Sequence, residues 1–390
     1  MARPQGTSET DFLDLVKRKE RGKLKVYIGS AAGTGKTYRM LQEGNDLRRR
    51  GIDVVVGFVE THGRDETEAQ IGELEVIPRK KIPYKGVTLE DMDLAGVIAR
   101  NPQVALVDEL AHTNVPGAGN LKRWEDVMAI LDAGINVISA VNVQHLESLN
   151  DIIQQSLGVT VRETVPDWVV ASADQAVNLD IPAEDLRQRL REGKIYRADK
   201  IDSALANFFT EENLSTLREL ALREVASSVD RAREAIAQRE SGSRAAERPA
   251  KSAVDRLLVA MSSNPPYTAL LLRKASRIAG RLNSDWYCVY VQTPEERADR
   301  IDTAVQRKLV DNIQMAQRLG AEVVKLVGDD VADELCRFAR DKGVTLIIAG
   351  QSKRTAWQTM RRASVSEALV HNKYGLDVLI VSLREGREEP

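Results

Sequence analysis

The segment that most constrains this chain is Val26-Tyr27-Ile28-Gly29-Ser30-Ala31-Ala32-Gly33-Thr34-Gly35-Lys36-Thr37. An apolar run enters a loop of small residues, the loop ends in Gly-Lys-Thr, and a helix-forming stretch follows at once. A buried strand, a glycine-rich turn and a helix start together make a cradle for phosphate. Small residues free successive backbone N–H groups, and the helix adds its positive end. On this basis Gly29, Gly33, Thr34 and Gly35 line the phosphates of ATP, Lys36 contacts them, and the Thr37 hydroxyl sits on Mg²⁺. The usual spacing places a glycine where this chain has Ser30, and Gly29 comes one residue earlier, so the loop is expected to start differently. The alternative is a glycine-rich strand-to-helix turn that holds no ligand.

A second element of the same kind of site is Val104-Ala105-Leu106-Val107-Asp108-Glu109. It reads as a buried strand ending in two carboxylates. Asp108 is assigned to the metal, directly or through water, and Glu109 to polarising an attacking water or hydroxyl. Glu60-Thr61-His62-Gly63-Arg64 and Asn142-Val143-Gln144-His145 also follow strand candidates. In an open parallel sheet, ligands bind outside the carboxyl ends of the strands. Both stretches are therefore expected to face the terminal phosphate, with plain loop capping as the alternative. His62, His112 and His145 lie near strand ends but lack the spacing of a zinc site, and His112 is expected to orient a loop.

The rest of the chain alternates in the same way. From Leu24 to Asn142, strand candidates at Lys25–Ile28, Asp53–Val59, Val104–Val107 and Asn136–Ala140 are short and rich in Val and Ile. Helix candidates lie at Thr37–Arg49, Leu89–Arg100, Trp124–Ala133 and Leu146–Leu157. This predicts an α/β fold with a parallel sheet. Trp168–Ala173 reads as a further strand, and Glu211–Glu240 as a long helix free of Gly and Pro. In that helix Leu222, Val225, Val229, Ala232 and Ile236 recur at gaps of three and four. They suit packing on the helix's own domain or, alternatively, a helix–helix contact. After the small, polar stretch 241–253, strands at Arg256–Ala260, Trp286–Val291, Glu322–Val327, Thr345–Ala349 and Val378–Val381 alternate with helices at Tyr267–Leu282, Ala304–Leu319 and Ala332–Lys342. The expected organisation is an N-terminal helix within 1–22, a phosphate-loop domain with C-terminal helices at 23–240, a linker at 241–253 and a smaller doubly wound domain at 254–390.

Charge narrows the partners. With 56 basic and 58 acidic side chains there is no electrostatic case for a nucleic acid or an anionic membrane. No apolar run approaches the roughly 18–20 residues that span a bilayer, and the start of the chain carries no apolar leader, so a cytoplasmic protein without membrane insertion is expected. Cys288 and Cys336 sit in apolar segments and are expected as reduced core residues.

Several of these stretches, taken in order, resemble one family. They are the phosphate loop with its early Gly29, Glu60–Arg64, Asp108-Glu109-Leu110-Ala111-His112-Thr113-Asn114, Lys122-Arg123-Trp124, Asn142 to Asp151, Asn207-Phe208-Phe209 and Leu217 to Arg223. They are similar to the cytoplasmic N-terminal region of the osmosensitive potassium sensor KdpD family over about residues 10–240. Residues 254–383 resemble the universal stress protein domain that follows in that family. The resemblance implies an ATP-binding region that regulates a sensor histidine kinase controlling potassium uptake. Nucleotide-binding universal stress proteins carry an Asp after the first strand and a glycine-rich phosphate loop. This chain has Met261-Ser262 at the first position. It keeps Gly350 and Ser364 of the loop but places Lys353 and Ala363 where glycines stand. Nucleotide is therefore not expected in this half, and Lys353, Arg354, Arg361 and Arg362 are expected as a solvated basic loop, with binding of a different anion as the alternative.

The family's sensors continue into membrane helices and a kinase core. None of the four histidines here lies in a phosphoacceptor-like helix pair, so histidine kinase activity is not expected of this chain. A partner sensor histidine kinase is expected instead, in trans or as a C-terminal continuation, and a homodimer is left open. Three functions compete: an ATP-binding regulatory module, which is favoured; an ATPase or P-loop serine/threonine kinase using Glu109, with Lys122 and Arg123 near the phosphates; and a non-catalytic scaffold.

Overall fold

The computed structural model describes residues 21–242, 256–262, 268–282, 284–294, 302–351, 364–371 and 375–382, and within these the side chains of 227–242 and 281 are not described. All but the last residue of the helix expected at about 8–21, nearly all of the linker, and the basic loop of Lys353, Arg354, Arg361 and Arg362 lie outside the described residues. The chain divides into two compact units: residues 1–146, 152–165 and 169–232, and residues 147–151, 166–168 and 233–390.

The first unit is built on a six-stranded parallel sheet. Its strands are β1 (Leu24–Gly29), β2 (Val54–Phe58), β3 (Glu75–Val76), β6 (Val104–Val107), β7 (Asn136–Asn142) and β8 (Gln175–Leu179), in the order β3-β2-β6-β7-β1-β8. Four of them are buried almost throughout, as strands covered on both faces must be. Helix α1 (Lys36–Arg49) lays Met40 and Leu41 on the sheet against Tyr27, Val56, Leu106 and Ile138. Each such fully buried side chain contributes about 1.5–3 kcal/mol. Because the strands are parallel, the loops after β1, β2, β6 and β7 all emerge at one edge.

Three local expectations need correction. Leu89 belongs to a strand: β4 (Lys80–Tyr84) and β5 (Val87–Asp91) form an antiparallel hairpin, and the helix, α3, covers only Leu94–Arg100. The two-residue turn Lys85-Gly86 has φ of 47° and 84°, the backbone that matches hairpin twist. Trp168–Ala173 is not a strand either. Pro166 and Asp167 suit a helix start, and helix α6 covers Asp167–Ala171, leaving Gln175–Leu179 to pair with β1. Finally, Leu146–Leu157 opens with a short 3₁₀ turn at Glu147–Leu149, itself preceded by another at Val143–His145, before helix α5 (Asn150–Leu157).

The remaining helices of this unit are α2 (Asp65–Glu68), α4 (Arg123–Asp132), α7 (Ala183–Arg191), α8 (Ala198–Asn207) and the start of α9 (Glu211–Gly242). Of the stripe expected on α9, Leu222 falls off the buried face, Val225 is half-buried, and Val229, Ala232 and Ile236 lie outside the described side chains. Leu214, Leu217 and Ala221 are buried, whereas Leu222 is 52% exposed. Arg218 adds a bidentate pair with Asp180 just past β8.

The second unit carries a five-stranded parallel sheet of β9 (Leu257–Met261), β10 (Trp286–Gln292), β11 (Glu322–Val327), β12 (Leu346–Gly350) and β13 (Asp377–Val381), ordered β11-β10-β9-β12-β13. Two apolar cores cover its faces. One involves helices α10 (Thr268–Arg281) and α11 (Thr303–Arg318), the other α12 (Val331–Lys342) and α13 (Val365–Val370). Cys288 and Cys336 are buried free thiols, and burial pushes Cys288 up to about 12.

Candidate functional site

The loop after β1 is shaped around a buried lysine. A Cβ on Gly29 would lie 2.4 Å from Thr34 Oγ1 and 2.9 Å from Lys36 Nζ. Glycine at that early position is what lets Lys36 fold beneath the loop, where its Nζ donates to Ala31 O at 3.0 Å and Thr34 Oγ1 at 3.1 Å. Burial pushes this ammonium down to about 8, against the Asp108 charge, which works to raise it. Gly35 takes φ 88° to turn the chain into α1.

Thr37 and Asp108, predicted to share a cation, are joined directly. Thr37 Oγ1 donates to Asp108 Oδ2 at 2.8 Å, and the Glu109 N–H donates to Asp108 Oδ1 at 2.9 Å. Burial pushes the Asp108 carboxyl up; the Thr37 bond and the Lys36 charge oppose that rise. Glu109 adopts the left-handed backbone at φ 55°, uncommon for a residue with a Cβ. His62, itself at φ 53°, stands with Nε2 3.4 Å from Glu109 Oε1. His112 Nδ1 is 3.9 Å from Glu109 Oε2 and 3.8 Å from Glu163 Oε1. Burial works to raise the Glu109 carboxyl, but the His62 bond and the charges of His62, His112 and Arg123 outweigh it and hold Glu109 below its ordinary value. His145 is placed differently. Its Nδ1 lies 2.8 Å from Glu163 O, and burial depresses its pKa.

Arg123, expected near the phosphates, is committed to packing. It is fully buried, pairs with Asp91, bonds Asn114 Oδ1 at 3.2 Å and sits 3.8 Å over the Phe58 ring. A guanidinium with no exposure and a committed carboxylate holds the β5–α4 packing together. Lys122 donates to Thr113 Oγ1 at 2.6 Å.

Three site residues had no signal in the sequence. Arg189 Nη1 donates to Gly33 O at 3.0 Å, Ile195 packs where a Gly33 Cβ would lie 2.2 Å from its Cδ1, and Glu163 stands against His112. The first contact joins residues 156 positions apart, a separation no local pattern reports.

The residues present fit a nucleotide with its cation. Ser30 Oγ, Asn142 Oδ1 and Gln144 Oε1 are buried and have no hydrogen-bond partner. Ser30 belongs to the loop itself, and Asn142 lies beside Gly29 in the β1–β7 register, so two of these residues stand at the loop. Among the described residues no three His, Cys, Asp or Glu side chains converge as metal ligands. A cation at Thr37 and Asp108 would take its other oxygens from phosphate and water, as Mg²⁺ does.

KdpD, described as an osmosensitive K⁺ channel His kinase sensor domain, matches residues 20–229, more than half of the chain. The chain belongs to the KdpD family. The universal stress protein family matches residues 253–381. A putative sensor protein KdpD of Synechocystis is 40% identical over 93% of this chain and 94% of its own length. The sensor protein KdpD of Escherichia coli is 42% identical over 96% of this chain, which spans 41% of that longer relative. The KdpD sensor of Mycobacterium tuberculosis is likewise 41% identical and covered over 41% of its length. Among solved structures, a universal stress protein in complex with cAMP is 20% identical, with a TM-score of 0.28, over 34% of this chain and 100% of that one. Among the described residues no helix is long and apolar enough to cross a membrane.

Proposed function

We propose that the first unit binds ATP with Mg²⁺ at the β1–α1 loop and serves as the regulatory module of a potassium- or osmosensing two-component system. Gly29, Gly33, Thr34, Gly35 and Lys36 would hold the phosphates, and Thr37 and Asp108 the cation. The observation that carries this is the buried Lys36 beside a hydrogen-bonded Thr37–Asp108 pair, with the unpartnered Ser30 Oγ in the same loop. Membership of the KdpD family supplies the signalling context. The partner is a sensor histidine kinase, acting in trans or as a C-terminal continuation, and the setting is cytoplasmic. The domain limits 23–240 and 254–390, with a linker at 241–253, belong to the same proposal.

Calorimetry on the purified chain with ATP, with and without Mg²⁺, tests it. Binding that Mg²⁺ strengthens and Lys36→Ala abolishes without loss of helical signal is expected. No binding by the wild-type chain would overturn it. A second reading, hydrolysis or transfer to a protein hydroxyl, is favoured by Glu109, whose carboxylate is held ionised beside Asp108. Sustained phosphate release, or acid-stable label on Ser or Thr, would select that alternative.

A further inference from the structure

Arg64 lies on the loop after β2 and has two unlike ends. Its Nη2 donates to Ile195 O at 3.0 Å, whereas its Nε is buried with no partner. The guanidinium is close enough to Lys36, Asp108 and Glu109 for the charges to act on one another. It is therefore a cation at the phosphate edge, held by a neutral backbone carbonyl 131 residues away in sequence.

The carbonyl belongs to a segment that also touches the phosphate loop. Ile195 and Leu186 pack on Gly33, and Arg189 donates to the Gly33 carbonyl. Directly after Ile195, the Tyr196 ring meets the Phe209 ring edge-on at 5.8 Å. Phe209 is fully buried just ahead of α9, and its carbonyl accepts from Arg187 Nη1 at 2.7 Å. A contiguous chain of contacts thus runs from Arg64 through residues 186–196 to the start of α9.

We propose that Arg64 discriminates triphosphate from diphosphate at this site by exchanging the Ile195 carbonyl for a terminal phosphate oxygen, thereby releasing the 192–197 segment toward α9. This rests on the nucleotide reading given above. A guanidinium hydrogen bond to a charged oxygen is stronger than one to a neutral carbonyl, so the exchange is favourable only when the third phosphate is present. A diphosphate leaves Arg64 on Ile195 and the segment latched. Differential affinity for two states is what a ligand needs to shift an equilibrium between them.

The test uses the full chain, a non-hydrolysable ATP analogue and ADP, both with Mg²⁺. Affinity for each is measured by calorimetry, and amide exchange of residues 192–197 by mass spectrometry. The wild type is expected to favour the triphosphate, and Arg64→Gln to lose about tenfold or more of that preference with its ADP affinity unchanged. The analogue, but not ADP, should speed exchange in 192–197. In nucleotide-free protein Arg64→Gln alone should speed it too, since the tether is cut. Arg64→Lys, which keeps the charge on the loop but loses the planar fork, should fall between. An unchanged triphosphate preference in Arg64→Gln, or equal exchange with both nucleotides, would overturn the proposal while Lys36→Ala still abolished binding. If Lys36→Ala left both affinities intact, the nucleotide site itself would be wrong, and this inference with it.

Discussion

Asp108 and Glu109 are adjacent carboxylates with opposite environments. Burial pushes Asp108 up, while His62 and His112 help hold Glu109 down. A raised, buried carboxyl aimed at Thr37 is suited to gaining a cation, which would restore its charge. Asp108→Asn is therefore expected to weaken Mg²⁺-dependent nucleotide binding about tenfold or more, and metal-free binding far less. Titrations with and without Mg²⁺ check this, and equal losses would remove Asp108 from the cation site. The His62–Glu109 contact predicts a pH window. The folded-state pKa of His62 is raised, chiefly by its bond to Glu109, so its contribution to stability is full below the ordinary 6.5 and lost as pH rises through the raised value. The folded-state pKa of Glu109 is lowered, so its contribution is present above the ordinary 4.5 and lost as pH falls through the lowered value. His62→Asn, which tolerates the left-handed backbone, should lower Tm most near pH ~5–6 and hardly at all at pH ~9. Thermal melts across pH decide this; a deficit independent of pH would mean that the ion pair contributes nothing.

At the scale of elements, the hairpin and helix α4 are tied through one buried pair. Asp91 ends β5, is 1% exposed, and accepts from Val115 N at 2.7 Å and from Met92 N at 2.7 Å as well as pairing with Arg123. Arg123→Met would leave that carboxylate buried without its cation, at a cost of about 3–5 kcal/mol. Denaturant unfolding measures this; a loss below about 1 kcal/mol would mean that Asp91 finds water or another partner. The same pair marks where sequence reasoning fell short. Val104–Val107 and Lys25–Ile28 were legible because strands buried on both faces must be uniformly apolar. That Thr37 and Asp108 meet was legible because a loop and a strand end dictate their placement locally. The burial of Arg123 was not legible because a basic residue beside a phosphate site and one buried over Phe58 look alike until packing is known. The hairpin was missed because Val87–Asp91 alternates weakly, and Lys85-Gly86 is a less obvious turn than Asn-Gly. Arg64, Arg189, Ile195 and Glu163 come together only through tertiary contacts.

For the molecule as a whole, two α/β units invite the expectation of two nucleotide sites, but two of the second unit's candidate positions serve other contacts. Met261 is buried in the apolar core, and Ser364 caps α13, accepting from Glu367 N at 3.2 Å while its own N–H donates to Glu367 Oε2 at 3.0 Å. The full chain should therefore show a single class of ATP site, and Lys36→Ala none; residual micromolar binding in that variant would place a nucleotide in the second unit.

The histidines set the last expectation. His62 is held against Glu109, His112 stands between Glu109 and Glu163, and His145 is buried with Nδ1 on Glu163 O. His371 follows the six-residue α13 with Nδ1 2.9 Å from Glu367 O. A phosphoacceptor needs a free ring nitrogen presented to a nucleotide terminus. His62 and His112 face carboxylates whose charge repels a phosphoryl group, and His145 is buried with its Nδ1 on the Glu163 carbonyl. Incubation of this chain with γ-labelled ATP is accordingly expected to leave no acid-labile label. Label lost in acid and retained in base would identify phosphohistidine and show that this chain carries kinase chemistry of its own. Acid-stable label would instead point to Ser or Thr and to Glu109 acting as a base. With no label and intact ATP binding, the signal must leave as a change of shape, and the route from Arg64 to α9 is where exchange should register it.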